Sequence, residues 1–236
     1  MDEGNRDLQR RARRLALGGA TLWLLAERAV WWPDRRTLFV SDLHLGRPAG
    51  DRPGSEAARE AAKRDLARLD SLSSATEAES VVVLGDLRHA PAPHLGAADA
   101  VLRAWSRAKP DPALLLIRGN QDERTGDPPR DWGIETVDQG HRIGCLTLFH
   151  HPPEAHQVAG LETDTGPAAW MAGHLHPGTG QRDETDRGRR TAPAFLLEGS
   201  GLVLPAFGEG THAHPPRPRP HQRRLAIEGG RVLAPR

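Results

Sequence analysis

Five short apolar runs constrain this chain more than anything else in it: TLFV at 37–40, VVVLG at 81–85, ALLLI at 113–117, TLF at 147–149 and AWMAG at 169–173. Runs of this length and β-branched content read as buried strands, yet each empties into polar groups that packing does not require. Asp42 and His44 follow the first, Asp86 the second, Asn120 the third, His150 and His151 the fourth, His174 and His176 the fifth. In open α/β sheets the carboxyl edge of the strands is where ligands bind, so five separate segments are expected to converge on one crevice.

The intervening segments fix the fold class. SEAAREAAKRDLARLDSL, starting at an N-capping Ser55, has Ala and Leu at helical spacing, and residues 94–108 read as a second helix. With the strands this makes β-α-β-α-β and a largely parallel sheet, hence an α/β protein. TLWLLAERAVWWP reads as a strand, and of Trp31 and Trp32 in it, which could stack on bases, at least one is expected in the core. From Ile134 onward the pattern changes to short strands with little helix, separated by a polar stretch at 179–191 and a Pro/Arg-rich one at 213–224. Residues 1–17 read as a charged extension and 18–236 as one domain.

Composition sets the outer limits. A chain of 236 residues with 37% hydrophobic content can bury one large core, and a formal charge of +1 advertises no nucleic-acid partner globally. Cys145 is the only cysteine, which points to a reducing compartment, and the cytoplasm is the expected location. Glu27 and Arg28 interrupt the short apolar run near the N-terminus, and no run approaches the ~20 residues that span a bilayer.

Carboxylate, imidazole and amide oxygen at strand ends suit Mn²⁺, Fe²⁺ or Zn²⁺. Any one such residue is commonly a cap or a loop contact; five in this order are not. The series SDLH, GDLRH, RGNQD, HHPP and GHLH resembles the calcineurin-like metallophosphoesterases over residues 36–178. ERAVWWP, SDLHLGRPAG, GDPPRDWGIE and GLVLPAFG extend the likeness, over about 25–210, to the DNA-ligase-associated metallophosphoesterases of bacteria. That resemblance implies a four-layer α/β/β/α sandwich and two divalent metal ions, with manganese preferred and zinc or iron as alternatives. It implies a DNA endonuclease acting in repair through a metal-bridging hydroxide, single-stranded DNA as partner, and functional association with a ligase, a helicase and an exonuclease.

Carried over position by position, Asp42, His44 and His176 are expected to hold one metal, Asn120, His150 and His174 the other, and Asp86 to bridge them. His150 is preferred to its neighbour His151 because HHPP fits the family's His-x-Pro-Pro from there, and His89 is expected to hydrogen-bond near the site. Arg118 is expected to stabilise phosphoryl charge. In most relatives the third motif is Gly-Asn-His followed by a carboxylate that orients the ring, and the His donates a proton to the leaving oxygen. Here Gln121 stands in its place, an amide that donates hydrogen bonds but cannot protonate an alkoxide, and Asp122 is left without that ring. Arg217, Arg219, Arg223 and Arg224 are candidate DNA-backbone contacts. The readings that compete are a hydrolase of small phosphoesters or nucleotides and, because of Gln121, a non-catalytic metal-binding module; a protein phosphatase ranks last.

Overall fold

The chain runs through β1 (Arg13–Leu17), β2 (Ala20–Leu25), β3 (Ala29–Trp32), β4 (Thr37–Val40), α2 (Glu56–Thr76), β5 (Ser80–Val83), α3 (Gly96–Ala108), β6 (Ala113–Ile117), the short helix α4 (Asn120–Thr125) and β7 (Ile134–Val137), after a first helix α1 (Glu3–Arg11). These seven strands form one sheet in chain order. The computed structural model describes residues 3–47, 56–89, 96–108, 113–161, 168–182, 189–215 and 221–234. The pairs β4–β5, β5–β6 and β6–β7 are parallel, as the helices between them require, and β1 to β4 are antiparallel.

The remaining strands make a second sheet in the order β15-β14-β12-β13-β10-β9-β8: β8 (His141–Ile143), β9 (Leu146–Leu148), β10 (Ala169–Ala172), β12 (Arg189–Glu198), β13 (Gly201–Val203), β14 (Gln222–Glu228) and β15 (Arg231–Val232). A further strand, β11 (Gly178–Arg182), pairs with β12.

Alternation along the strands decides the layers. In β4, Leu38 and Val40 pack with Leu66, Leu69 and Leu102 of α2 and α3, whereas Phe39 joins Leu148, Met171 and Phe195 between the two sheets. In β10, Ala169 and Met171 face that same interior, and Trp170 and Ala172 face outward beneath Val158 of the short helix α5 (Ala155–Ala159). The order is thus helices, sheet, sheet, helix.

Three local expectations are corrected. TLWLLAERAVWWP is a hairpin, β2 turning at Glu27 and Arg28 into β3, where Arg28 takes φ 66° and Glu27 pairs with Arg11 at 3.0 Å. Of the presumed extension, Arg13–Leu17 is the edge strand β1, five residues in register with β2. Part of the polar stretch 179–191 is ladder, with Thr179 to Arg182 opposite Arg189 to Ala192. Trp31 and Trp32 are both buried, on opposite faces of β3. The expected N-cap Ser55 lies outside the described residues. Among the described residues no helix is long and apolar enough to cross a membrane.

One polar contact ties α2 to the segment after β13. Asp65 accepts the Glu209 N–H with both oxygens, at 3.1 and 3.3 Å, and pairs at 3.2 Å with Arg68, whose guanidinium lies over Phe207. Burial pushes the Asp65 carboxyl up to about 6 in spite of Arg68. Because the folded value exceeds the unfolded one, the folded state holds the proton more tightly. Stability from this group is therefore full below about pH 4 and is lost as pH rises through about 6, by at most about 3 kcal/mol. Unfolding titrations of the wild type and of Asp65→Asn are expected to diverge across that window, the wild type losing ground; a difference that stays constant from pH 4 to 7 would contradict this.

Candidate metal centre

The strand ends do more than point the same way. Past the last residues of β4 and β5 the two chains keep pairing: Asp42 N–H donates to Gly85 O at 3.1 Å, His44 N–H to Asp86 O at 2.9 Å and Leu45 N–H to Leu87 O at 2.9 Å. Gly173 N–H likewise donates to His150 O at 3.0 Å, and Phe207 and Gly208 reach back to the carbonyls of Ser41 and Asp42 at 2.7 and 3.2 Å. This last contact places the LPAFG segment against the first motif.

Backbone strain concentrates here. Asp42, His44, Asp86, His174 and His176 have φ between 44° and 70°, five of the nine non-glycine residues with positive φ among those described. Each such residue costs about 1–3 kcal/mol, and strain of this kind persists where the surroundings over-determine it. Two glycines make the convergence possible. Gly85, at φ 81°, lies so close to His150 that a Cβ would run into the imidazole, and a Cβ on Gly173 would strike Ser41 Oγ and Asp42.

The donor atoms fall into two adjoining groups. In one, Asp42 Oδ1 stands 3.2 Å from His176 Nε2 and 3.8 Å from His44 Nε2, and the two Nε2 atoms are 3.2 Å apart. In the other, His150 Nε2 lies 3.0 Å from Asn120 Oδ1, 3.2 Å from His174 Nδ1 and 3.3 Å from Asp86 Oδ1. Asp86 faces both: Oδ2 is 3.8 Å from His44 Nε2 while Oδ1 meets His150. Asp42 with His44 and His176, and Asp42 with Asp86 and His150, each place their ligand atoms within 4.8 Å of one another.

This arrangement fits cations. Leu84 O, which only accepts, is 2.9 Å from His150 Nδ1, so that nitrogen carries the hydrogen and a neutral ring turns the bare lone pair of Nε2 toward the other donors. Asn120 Oδ1, Asp86 Oδ1 and His150 Nε2 then meet as acceptors, with His174 Nδ1 beside them. Asp42 Oδ1 is buried and has no hydrogen-bond partner, while Oδ2 is held by the His174 N–H at 2.9 Å and by Ser41 Oγ. Uncompensated lone pairs buried together are costly unless a cation satisfies them.

Protonation agrees. Burial pulls His44 down to about 3, and burial with the nearby His150 pulls His174 down to about 4, so both rings are neutral at physiological pH. Burial pushes Asp86 up to about 6, with His150 acting against it. Burial also opposes ionisation of Asp42, but the close approach of His176, with His150 and His44 beyond it, holds it below the usual carboxylate value.

The structure brings Asp42, His44, Asp86, Asn120, His150, His174 and His176 together and gives other expected residues different work. His89 Nδ1 is 3.2 Å from His44 Nδ1, a contact that orients the His44 ring. His151 is only partly buried, and it too stands close to His150 and His174. Arg118 does not turn toward the centre: its guanidinium forks onto Asp127 at 2.9 Å and also pairs with Asp138. Asp122, fully buried, receives the backbone N–H groups of Asp86 at 2.7 Å, Leu87 at 3.1 Å and Gly119 at 3.0 Å. Its job is to lock the second-motif turn to the third, since these donors occupy both oxygens; no ring needs to be there. Arg223 is exposed and Arg224 half-buried on β14, while Arg217 and Arg219 lie outside the described residues.

Gln139 escaped sequence reasoning. Its Oε1 accepts from His150 N–H at 3.1 Å and from His151 N–H at 2.9 Å. An amide in a turn before β8 carries no pattern that would single it out.

Two facing sheets with carboxylates and imidazoles gathered on the loops past the strands make up the frame and the centre of a metallophosphoesterase. The chain belongs to the calcineurin-like metallophosphoesterases: the crystal structure of the nuclease MPE from Pseudomonas putida is 32% identical to it, over 95% of this chain and 100% of that one, with a TM-score of 0.75. Yfce, a phosphoesterase from E. coli, is 20% identical over 85% of this chain and 97% of its own, with a TM-score of 0.39, too distant to carry an argument. No family model and no curated protein matches the chain. The protein is a metal-dependent phosphoesterase whose cofactors are divalent metal ions.

Proposed function

We propose that the protein is a phosphodiesterase with two metal ions, a manganese-dependent endonuclease that cuts single-stranded DNA during repair. The observation that carries this reading is the full-length likeness to a nuclease, 32% identical along essentially the whole of both chains. Asp42, His44 and His176 would hold one ion and Asn120, His150 and His174 the other, with Asp86 offering one oxygen to each side. A shared anion offsets the repulsion of two cations about 3.5–4 Å apart, and when bound such a pair supplies Lewis acidity and lowers the pKa of water toward neutrality.

The chain's own groups hold that frame still. Leu84 O and Gln139 orient His150, His89 orients His44, and the Gln121 N–H anchors Asp86 Oδ1 at 2.8 Å. Gln121 extends from the same turn with an amide able to donate to a phosphoryl oxygen. With Arg118 engaged by Asp127 and Asp138, charge on the phosphoryl group falls to the centre itself.

One observation favours a second reading, hydrolysis of small phosphodiesters or nucleotides: the groove beside His151 and His174 is lined by Glu154 and Glu198 and, among the described residues, by no Arg or Lys. Cleavage of circular single-stranded DNA, of duplex DNA and of an aryl phosphodiester, with Mn²⁺, Zn²⁺ and Mg²⁺ in turn, separates the two. The expected result is Mn²⁺-stimulated opening of the single-stranded circle. Turnover of the aryl diester with the circle intact in all three metals would leave the small-substrate reading in its place.

A further inference from the structure

We propose that the His151 imidazole is a substrate-binding donor of the centre: its Nε2–H holds a non-bridging oxygen of the phosphate, and the ring binds no metal ion. The inference deepens the phosphodiesterase reading and rests on it for the place of that phosphate.

The adjacent histidines of the fourth motif are locked in opposite tautomers. His150 carries its hydrogen on Nδ1, facing Leu84 O, and offers a bare Nε2 to the centre. For His151 the deciding group is Gln139. Its Oε1 accepts the His150 and His151 N–H groups, at 3.1 and 2.9 Å, which leaves the amide nitrogen as the atom 3.2 Å from His151 Nδ1. An amide nitrogen only donates, so His151 Nδ1 accepts and the hydrogen of the neutral ring sits on Nε2. Turning the amide over does not release the ring, because its NH₂ group would then face two backbone N–H groups. Protonation does not remove the donor either, since an imidazolium also carries a hydrogen on Nε2.

Ligation is thereby closed to His151. One of its ring nitrogens falls within 4.8 Å of nitrogens of His150 and His174, close enough to pass for a third imidazole ligand. Yet Nδ1 is taken by Gln139, and Nε2 has no lone pair to give. What remains is a donor beside the centre. The His151 ring centroid is 4.1 Å from that of His174 and 4.8 Å from that of His150, both expected ligands of one ion. Gln139 stands on the β8 side of β9, and β10, which leads to His174, lies on the other. The Nε2–H leaves the ring on the side away from Gln139, and so turns to the partly exposed mouth that His151 and His174 share. With Arg118 committed to Asp127 and Asp138, this N–H is a donor able to meet a phosphoryl oxygen there.

The test joins metal content, phosphate affinity and turnover. Full-length protein loaded with Mn²⁺ is titrated calorimetrically with inorganic phosphate, and its bound metal and its cleavage of an aryl phosphodiester are measured alongside. His151→Ala and His151→Phe are expected to keep two ions per chain, to bind phosphate about ten-fold more weakly and to lose about ten-fold or more in kcat/KM. His151→Gln, whose amide N–H reaches the place of Nε2, is expected to recover most of both losses, which a merely structural role would not allow. Circular dichroism identifies a variant that has misfolded, and the other then decides. In ¹⁵N-labelled full-length protein loaded with Zn²⁺, long-range ¹H–¹⁵N correlation is expected to place the His151 hydrogen on Nε2 and the His150 hydrogen on Nδ1. An ion lost from folded His151→Ala or His151→Phe, a His151 hydrogen found on Nδ1 alone, or an unchanged phosphate affinity in both variants overturns the assignment. If phosphate binding depends on His151 but no DNA is cut, the nuclease reading fails and the donor stands; if DNA is cut and phosphate affinity ignores His151, the reverse is true.

Discussion

Asp86→Ala is expected to abolish phosphodiester cleavage and to leave the purified protein with no more than one metal ion per chain after Mn²⁺ loading, against two in the wild type. The reason is geometric. Asp86 presents one oxygen to His44 and the other to His150, so its loss strips both groups at once. Removing a single charge-stabilising donor already costs about 10²–10³ in kcat, and losing a shared ligand is expected to exceed that on aryl diester and DNA alike. Asp42→Ala is expected to weaken chiefly the half that contains His44 and His176. The metal-free Asp86→Asn protein is expected to unfold at a higher temperature than metal-free wild type, because burial and the Asp42 and Asp122 carboxylates oppose the charge on Asp86. That gain separates a functional carboxylate from a structural one. Two ions retained in Asp86→Ala, or metal lost equally from both halves in Asp42→Ala, would contradict the arrangement.

How much of this centre was legible beforehand varies from residue to residue. Asp42, Asp86, Asn120, His150 and His174 each follow an apolar strand at fixed short distance, and a parallel sheet brings such ends to one edge whatever the loops do. That is why spacing alone placed them. Side-chain direction is another matter. Arg118 also follows a strand, but its partners Asp127 and Asp138 lie 9 and 20 residues away, and nothing local says the guanidinium prefers them. Gln139 acts on His150 across the β8–β9 hairpin, 11 residues on, and Leu84 O reaches it from the other sheet over 66 residues, contacts visible only once the strands have paired and the sheets face each other. The hairpin at Glu27 and Arg28 was hidden for a different reason: its turn is made by charged residues, one at positive φ, without the Gly or Asn that usually marks one. β1 was masked by its composition, since an edge strand with Arg13 and Arg14 at its start has no apolar run to betray it.

Gln121→His is the substitution whose outcome says most about chemistry. An aryl phosphodiester expels a phenoxide that is stable in water without help, whereas a DNA strand must expel an alkoxide, and general acid catalysis is worth about 10²–10⁴ in such a step. A histidine at 121 is therefore expected to raise DNA cleavage well above its effect on the aryl ester, measured as the ratio of the two kcat/KM values in variant and wild type. Asp122 changes what the companion variant should do. Had it been free to orient a ring, Asp122→Ala would matter only once that ring was present. Its oxygens instead hold the N–H groups of Asp86, Leu87 and Gly119, in a site with no exposure to solvent. Removing it leaves three buried donors unpaired, at about 1–3 kcal/mol each, and frees the turn that carries Asp86. Asp122→Ala is thus expected to depress both substrates by the same factor, with and without the histidine, and to weaken metal retention in step. Equal gains on both substrates from Gln121→His would mean that a group elsewhere already protonates the leaving oxygen; an Asp122→Ala loss confined to DNA in the histidine background would mean that this carboxylate orients the ring after all.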